Sequence, residues 1–395
     1  MTRVLGIDVS KRSVSACLLE QKPTELKQFY YKYDFKTFQA DVSGIKGVLS
    51  LNPEVALIEP TGTNYSKLWV NVLTQNGVTV KLVGHKELRK YRESHLGLPD
   101  KDDNADALAL ACYFFDYPLP SRYLTIRDQN ISRLRELVLR LNHLNRVQNP
   151  IINRLRQDLV WQFPEIAFVQ SPRSRSGDVP LLWGWLAEEK KSKKYDSLYL
   201  DSIGLGLTDS VKQHAKRICS LQREEYGIEE QINKILLNTR YIPYLKTFKT
   251  FGFGMRTQAL ILSQIYPLIN FLNDDGSPIV EYHRSRNNPS KQSKRRLSER
   301  RFQKVLGLAP TQESSGDKKK SKVVGSALCR RAIWLWVFTS VEPKRFRTNT
   351  VTQKLGAILD KEKAGGRPVR LVRSRISVRA CKMLFNSLVK QIQAG

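Results

Sequence analysis

The sequence predicts an α/β domain over residues 1–120, a helical, coiled-coil-like region over 121–245 and a mostly α region over 246–395. Three observations carry this. Apolar runs of strand length open the chain and then alternate with helix-length amphipathic segments, the pattern of a mixed sheet covered by helices. Leu134, Leu137, Leu141, Leu144, Ile151 and Leu155 recur in steps of three and four, a heptad seam with Gln148 in its polar gap. Beyond residue 246, residues 255–265 and 327–341 read as amphipathic and apolar helices separated by polar, basic stretches.

In order, residues 4–9 predict a buried strand, 13–19 its hairpin partner and 26–31 a third strand. Residues 35–49 predict a helix, and 55–58 a buried strand ending at Glu59-Pro60-Thr61-Gly62. Residues 64–75 predict a helix and 78–83 a strand. The Ala/Leu run after Asp103, with Pro99 upstream, predicts the helix that closes the domain.

Four acids stand out on this frame. Asp8 interrupts an apolar strand, where a carboxylate is costly unless it is paired or bound to metal. Glu59 ends a central strand, where side chains reach the edge of the sheet. Asp103 and Asp106, three residues apart, share a helix face. Their mutual repulsion calls for a cation between them, although acids at a helix start also cap it and match its dipole. The order Asp8, Glu59, Asp103, Asp106 predicts convergence at one end of the sheet. Four carboxylates without histidine suit Mg2+ or Mn2+ rather than zinc. Two such ions about 4 Å apart can grip a phosphodiester.

Composition points to the partner. Sixty-six Lys and Arg against 37 Asp and Glu give a net charge of +29, which favours a nucleic acid over a membrane. The most apolar stretch, 332–341, is too short to span a bilayer and follows Arg330-Arg331. The chain enters a strand directly, so no signal peptide is expected. Five scattered cysteines without a CxxC pair suit a reducing cytoplasm and argue against zinc or disulfides.

A second seam runs through Val211, Ile218, Leu221, Ile228, Ile232 and Ile235. The two seams fit either a helix pair inside a globular domain or a protruding hairpin for self-association into a dimer or tetramer. Pro150 predicts a kink or break in the first helix. Residues 170–178 read as a loop, and Trp183 and Trp185 as packing residues. Phe251-Gly252-Phe253-Gly254 is either a plain turn or a phosphate-facing helix start. Arg284, Arg286, Lys291, Lys294, Arg295, Arg296, Arg300, Arg301 and Lys304 predict contact with a nucleic-acid backbone. Beyond them, Ser315 borders Gly316 and is followed by Lys318, Lys319 and Lys320. Such a serine can attack phosphorus beside stabilising cations, or belong to a linker, with Ser314 as the alternative. The arginines of the tail, Arg367 to Arg379, add backbone contacts.

Gly6-Ile7-Asp8-Val9-Ser10, Glu59-Pro60-Thr61-Gly62 and Lys101-x-Asp103-x-x-Asp106-Ala107 resemble the motifs of the IS-one-ten family of DEDD transposases. Gly307-Leu308-Ala309-Pro310, followed by Ser315-Gly316, resembles that family's second signature. The resemblance implies a RuvC-like N-terminal domain of the ribonuclease-H fold and a C-terminal serine transposase domain. It implies that Asp8, Glu59, Asp103 and Asp106 bind metal and that Ser315 is the nucleophile; the family spacing selects Asp103 over adjacent Asp102, which is left as the helix cap. It further implies donor and target DNA as substrates and a bridge-type noncoding RNA as guide. The chain departs from the family pattern at Phe251 to Gly254, at Val324-Gly325 and in the basic stretch, which looks like an insertion. A RuvC-type nuclease in which water attacks is the competing reading, with an inactive nucleic-acid-binding descendant third. A sugar kinase also opens on a Gly-Ile-Asp strand, but the charge and the absence of a second nucleotide-binding half count against it. No Walker loop is present, and covalent storage of bond energy needs none.

Overall fold

The computed structural model describes residues 2–60, 64–98, 102–119, 122–124, 128–173, 177–284, 292–315 and 318–393, with backbone alone at 284 and between 312 and 322. The chain divides into two compact units, Met1–Arg127 and Asp128–Gly395.

In the first unit, β1 (Val4–Val9) and β2 (Ser13–Leu19) form an antiparallel hairpin that sets Asp8 opposite Ser15. The chain continues through α1 (Leu26–Lys32), β3 (Lys36–Gln39) and α2 (Val42–Ser50) to β4 (Val55–Ile58). Next come α3 (Tyr65–Gln75), β5 (Thr79–Leu82), α4 (His85–His95) and α5 (Asp103–Asp116). The five strands lie in the order β3-β2-β1-β4-β5, with β1, β4 and β5 parallel and β2 and β3 antiparallel to their neighbours.

Strand alternation sorts the side chains between two helix layers. Leu5, Ile7, Val9, Ala56 and Ile58 pack with Val48 of α2 and with Trp69 and Leu73 of α3. Val4, Val55 and Leu57 face the opposite layer of α4 and α5. Asp8 shares the parity of Val4 and Gly6, and Glu59 that of Val55 and Leu57. Both acids are therefore on the α5 side.

Three local expectations are corrected. Residues 26–31 form a helix, because Leu26, Phe29, Tyr30 and Tyr33 recur at helical spacing against the α5-side core. Phe29 stacks on Tyr33, whose hydroxyl accepts from Leu18 N at 2.9 Å. The single helix expected over 35–49 is split into β3 and α2, since the Asp41 carboxylate caps α2 by accepting from Gly44 N at 2.8 Å. The third correction is an omission: α4 carried too few apolar residues to be foreseen.

The second unit opens with α6 (Gln129–Gln162), which runs unbroken through Pro150. Packing along α9 supports it where the expected break does not occur. After α7 (Leu181–Leu186) and α8 (Lys193–Leu200), α9 (Asp209–Leu236) returns along α6. Then follow α10 (Ile242–Phe251), α11 (Met255–Ile265), a β6–β7 hairpin (Val280–Arg284, Gln292–Arg296) and α12 (Leu297–Val305). A β8–β9 hairpin (Pro310–Ser315, Lys318–Val323) leads to α13 (Ala327–Trp336), a π turn over Val337–Val341, α14 (Thr350–Ala364) and α15 (Val369–Gln393).

The heptad seams serve two cores. Leu134 to Leu144 join Ile228 and Ile232 in the core that α10 to α15 complete. Leu155, Leu159, Val211 and Ile218 join α7 and α8 in a second core. At the polar gap, Gln148 donates to buried Glu225 at 3.2 Å. Among the described residues no helix is long and apolar enough to cross a membrane.

Candidate active site

The site begins with Gly6. A Cβ there would lie 2.0 Å from the Ala107 carbonyl oxygen and 2.6 Å from Ala111 N, so α5 rests backbone-first on β1. The small residues Ala105, Ala107, Ala109 and Ala111 keep that helix close, all of them buried. Two residues past Gly6 on the same face, Asp8 meets the first turn of α5. Asp102 caps the helix, accepting from Asn104 N at 2.9 Å and from Ala105 N at 2.8 Å, as the sequence predicted. The Tyr30 hydroxyl holds that carboxylate at 2.8 Å. With Asp102 in that role, Asp103 and Asp106 are not needed as caps.

All four predicted acids share one neighbourhood. Burial pushes the Asp8 carboxyl up to about 7, and the charges of Asp103, Asp106 and Glu59 push the same way. Protonated Asp8 hydrogen-bonds Asp103, which raises it further. Glu59 and Asp106 are buried. Such a cluster carries more negative charge than its surroundings tolerate.

Part of the counter-charge comes from α4, whose role the sequence did not reveal. Arg92, itself buried, places Nε 2.8 Å from Asp106 Oδ1 and donates from Nη1 to the Leu98 carbonyl at 3.2 Å. His85 Nδ1 is hydrogen-bonded to Glu59 Oε1. Arg89 lines the same pocket of about 300 Å3 with Glu59, His85, Arg92 and Asp106. His85, Arg89 and Arg92 fall at i, i+4 and i+7, one helical stripe, and that spacing was the signal available in the sequence. The donor set fits a hard divalent ion: four carboxylates and no thiolate. Among the described residues, however, no three such groups are arranged as ligands of one ion. The carboxylates of Glu59 and Asp106 instead face His85 and Arg92.

The predicted serine lies elsewhere in the chain. Ser314 and Ser315 end β8, where the backbone of Ser315 pairs with Lys318. The glycine-bordered loop expected there is thus a β-hairpin in its described part. The side chains of Ser314, Ser315, Lys318, Lys319 and Lys320, and all of Gly316, fall outside the described residues. The base of the hairpin is well defined. Gly307 and Gly325 have φ of +73° and +97°. A Cβ on Gly325 would lie 1.7 Å from the Lys304 carbonyl oxygen, and one on Gly307 2.6 Å from that of Ser326. Ser326 N also donates to the Val305 carbonyl at 3.0 Å. The end of α12 and the start of α13 cross too closely for side chains, which accounts for a glycine at each position.

Of the predicted nucleic-acid contacts, Lys294, Arg295, Arg296, Arg300 and Arg301 are exposed on β7 and α12. Arg286, Lys291 and the side chain of Arg284 fall outside the described residues. Gly252, at φ +70°, ends α10, and Gly254 opens α11, a geometry common to both readings of that motif.

Residues 5–164 match a family model for transposases of the DEDD IS110 type, a span that contains all four acids. Residues 291–351 match a model for the IS116/IS110/IS902 transposase family, a span that contains Gly307, Ser315 and Gly325. No curated protein matches the chain.

Proposed function

The chain belongs to the IS110 family of insertion-sequence transposases, with a RuvC-like DEDD domain at its N-terminus, and from that premise we propose how it cuts and rejoins DNA. Asp8, Glu59, Asp103 and Asp106 hold the divalent metal that DEDD transposases generally use, here Mg2+ or Mn2+. The gathering of three acids around half-buried Asp8 is the observation that supports this. Bound ions there would polarise the scissile phosphate and offset its charge. Arg92 balances Asp106 and His85 hydrogen-bonds Glu59 when the ions are absent.

Ser315 is the nucleophile. Its Oγ gives up its proton and forms a bond to phosphorus as the bond from phosphorus to the deoxyribose oxygen breaks. The departing oxygen takes up a proton, so none is gained or lost overall. The phosphoserine link conserves the bond energy, so the reverse attack by a DNA hydroxyl rejoins strands without a nucleotide cofactor. The fixed base at Gly307 and Gly325 supports this role by anchoring the hairpin that carries Ser315. Donor and target DNA are selected by pairing with a bridge-type noncoding RNA, and the protein works as a dimer or tetramer. Arg284, Arg286, Lys294, Arg295, Arg296, Arg300, Arg301, Lys318, Lys319 and Lys320 hold the nucleic-acid backbones.

Denaturing gels of reactions with the element's own junction DNA and flanking RNA test this reading. Wild type should leave a protein–DNA adduct, Ser315→Ala none, Ser314→Ala a normal amount, and Asp8→Asn neither adduct nor cleavage. An adduct surviving in Ser315→Ala overturns the nucleophile. Cleaved ends that never carry protein assign the chain to water-attacking nucleases. Adduct formation indifferent to ribonuclease removes the RNA guide.

A further inference from the structure

The β6–β7 ribbon is rooted firmly and left bare. At its base, Leu297 N donates to the Ile279 carbonyl at 3.0 Å, and Ile279 N donates to Ser298 Oγ at 2.8 Å. Ser298 is fully buried, and Phe302 further along α12 is part of the core. Beyond that root, Glu281, Tyr282, His283 and every residue from Gln292 to Arg296 are exposed, Tyr282 by 60%.

Strand pairing divides the ribbon into two unlike faces. Tyr282 is opposite Lys294, and Val280 opposite Arg296, with Gln292 on the same side. Glu281 is opposite Arg295 and His283 opposite Ser293 on the other side. On this second face Glu281 engages His283 at 3.1 Å. The first face carries no carboxylate of its own; Arg296 meets Glu299 at 3.6 Å, but that acid is in α12 at the root. Lys294 Nζ lies 5.8 Å from the Tyr282 ring centroid.

A two-stranded ribbon with neither face covered is marginal in water, and neighbouring cations weaken it further. A polyanion that covers one face supplies both burial and counter-charge. The major groove of B-DNA admits a two-stranded ribbon, whereas the A-form groove of duplex RNA is too deep and narrow for side chains to read. Strand β6 falls outside both spans matched by the family models.

We propose that this ribbon docks into the major groove of B-form duplex DNA with its Tyr282–Lys294 face inward. The proposal rests on the nucleic-acid role given above to the basic stretch, and it adds an orientation and a groove. Lys294 offers its ammonium to phosphates and acceptor base edges, Gln292 its amide to base edges, and Tyr282 an apolar surface to the groove wall.

Neighbouring residues on opposite faces provide the test. Gln292→Glu and Ser293→Glu each add one negative charge to the same strand, on the inward and the outward face respectively. Anisotropy titrations use the full chain, a labelled duplex DNA of about two helical turns and a duplex RNA of equal length. The proposal requires Gln292→Glu to weaken DNA binding about tenfold and Ser293→Glu no more than about twofold. It also requires methyl green, a major-groove ligand, to displace the protein where netropsin, a minor-groove ligand, does not. Equal losses in the two variants, or tighter binding to the RNA duplex, overturn it while leaving the basic stretch a nucleic-acid binder. If wild type binds neither duplex, the underlying reading falls as well.

Discussion

Asp8 is held where burial and three acids all oppose its charge, so its replacement separates stability from function. Its folded carboxyl value, about 7, lies above the ordinary 3.8. The sign follows from linkage: the group contributes its full share of stability below the unfolded value and loses that share as pH rises through about 7. In chelator at pH 8, Asp8→Asn should therefore melt higher than wild type, by about 1–4 kcal/mol of stability. The same variant should lose the rise in melting temperature that Mg2+ or Mn2+ gives wild type. A variant that melts lower in chelator would mean that the acids do not strain the fold. Arg92 makes the opposite case. Arg92→Gln leaves buried Asp106 without its cation, at a cost of about 3 kcal/mol, and Arg92→Lys should recover part of it. Divalent metal should then rescue Arg92→Gln by a larger melting shift than it gives wild type, since the ion replaces the missing charge. Equal shifts would show that Arg92 and the metal do not share Asp106.

At the scale of elements, the site depends on how closely α5 approaches β1. Gly6→Ala puts a methyl group where the Ala107 carbonyl oxygen stands, so the helix must retreat and take Asp103 and Asp106 with it. The expected outcome is a folded but less stable protein, down by about 1–3 kcal/mol, that has lost its stabilisation by divalent metal. Retention of the full metal shift would detach the acid cluster from this packing. The same contacts explain what the sequence disclosed. The apolar runs of β1, β2 and β4 and the Ala/Leu run of α5 are buried, so hydropathy marked them. Period-two alternation then put Asp8 and Glu59 on one face. Helix α1 was misread because Phe29, Tyr30 and Tyr33 are strand-favouring residue types placed at helical spacing. Helix α4 was missed because only Leu88, Tyr91 and Arg92 of its eleven residues are buried. His85 and Arg92 consequently had only their helical spacing to announce them, and only the fold shows which acids they meet. At Pro150 the helix continues, so of the kink or break expected there the structure excludes the break.

Over the whole molecule, charge is divided very unevenly. Residues 1–127 hold 17 of the 66 basic and 14 of the 37 acidic residues, a net of +3, which leaves +26 for residues 128–395. The unit that carries the acid quartet is nearly neutral, and the other has the charge of a polyanion binder. Holding DNA and cutting it should therefore respond to different solution conditions. DNA binding by the full chain should fall linearly on a log–log plot against salt. A site of six or more phosphates loses about a thousandfold or more between 50 and 200 mM. Adding chelator should leave that slope and intercept unchanged while strand cleavage stops, because the counter-ions released come from phosphates met by Lys and Arg rather than from the carboxylates. Anisotropy titrations with and without chelator, beside a cleavage gel on the same samples, measure both. If chelator lowers affinity as strongly as it suppresses cleavage, the acid quartet must itself hold much of the DNA, and the division of labour implied by the charge would not exist.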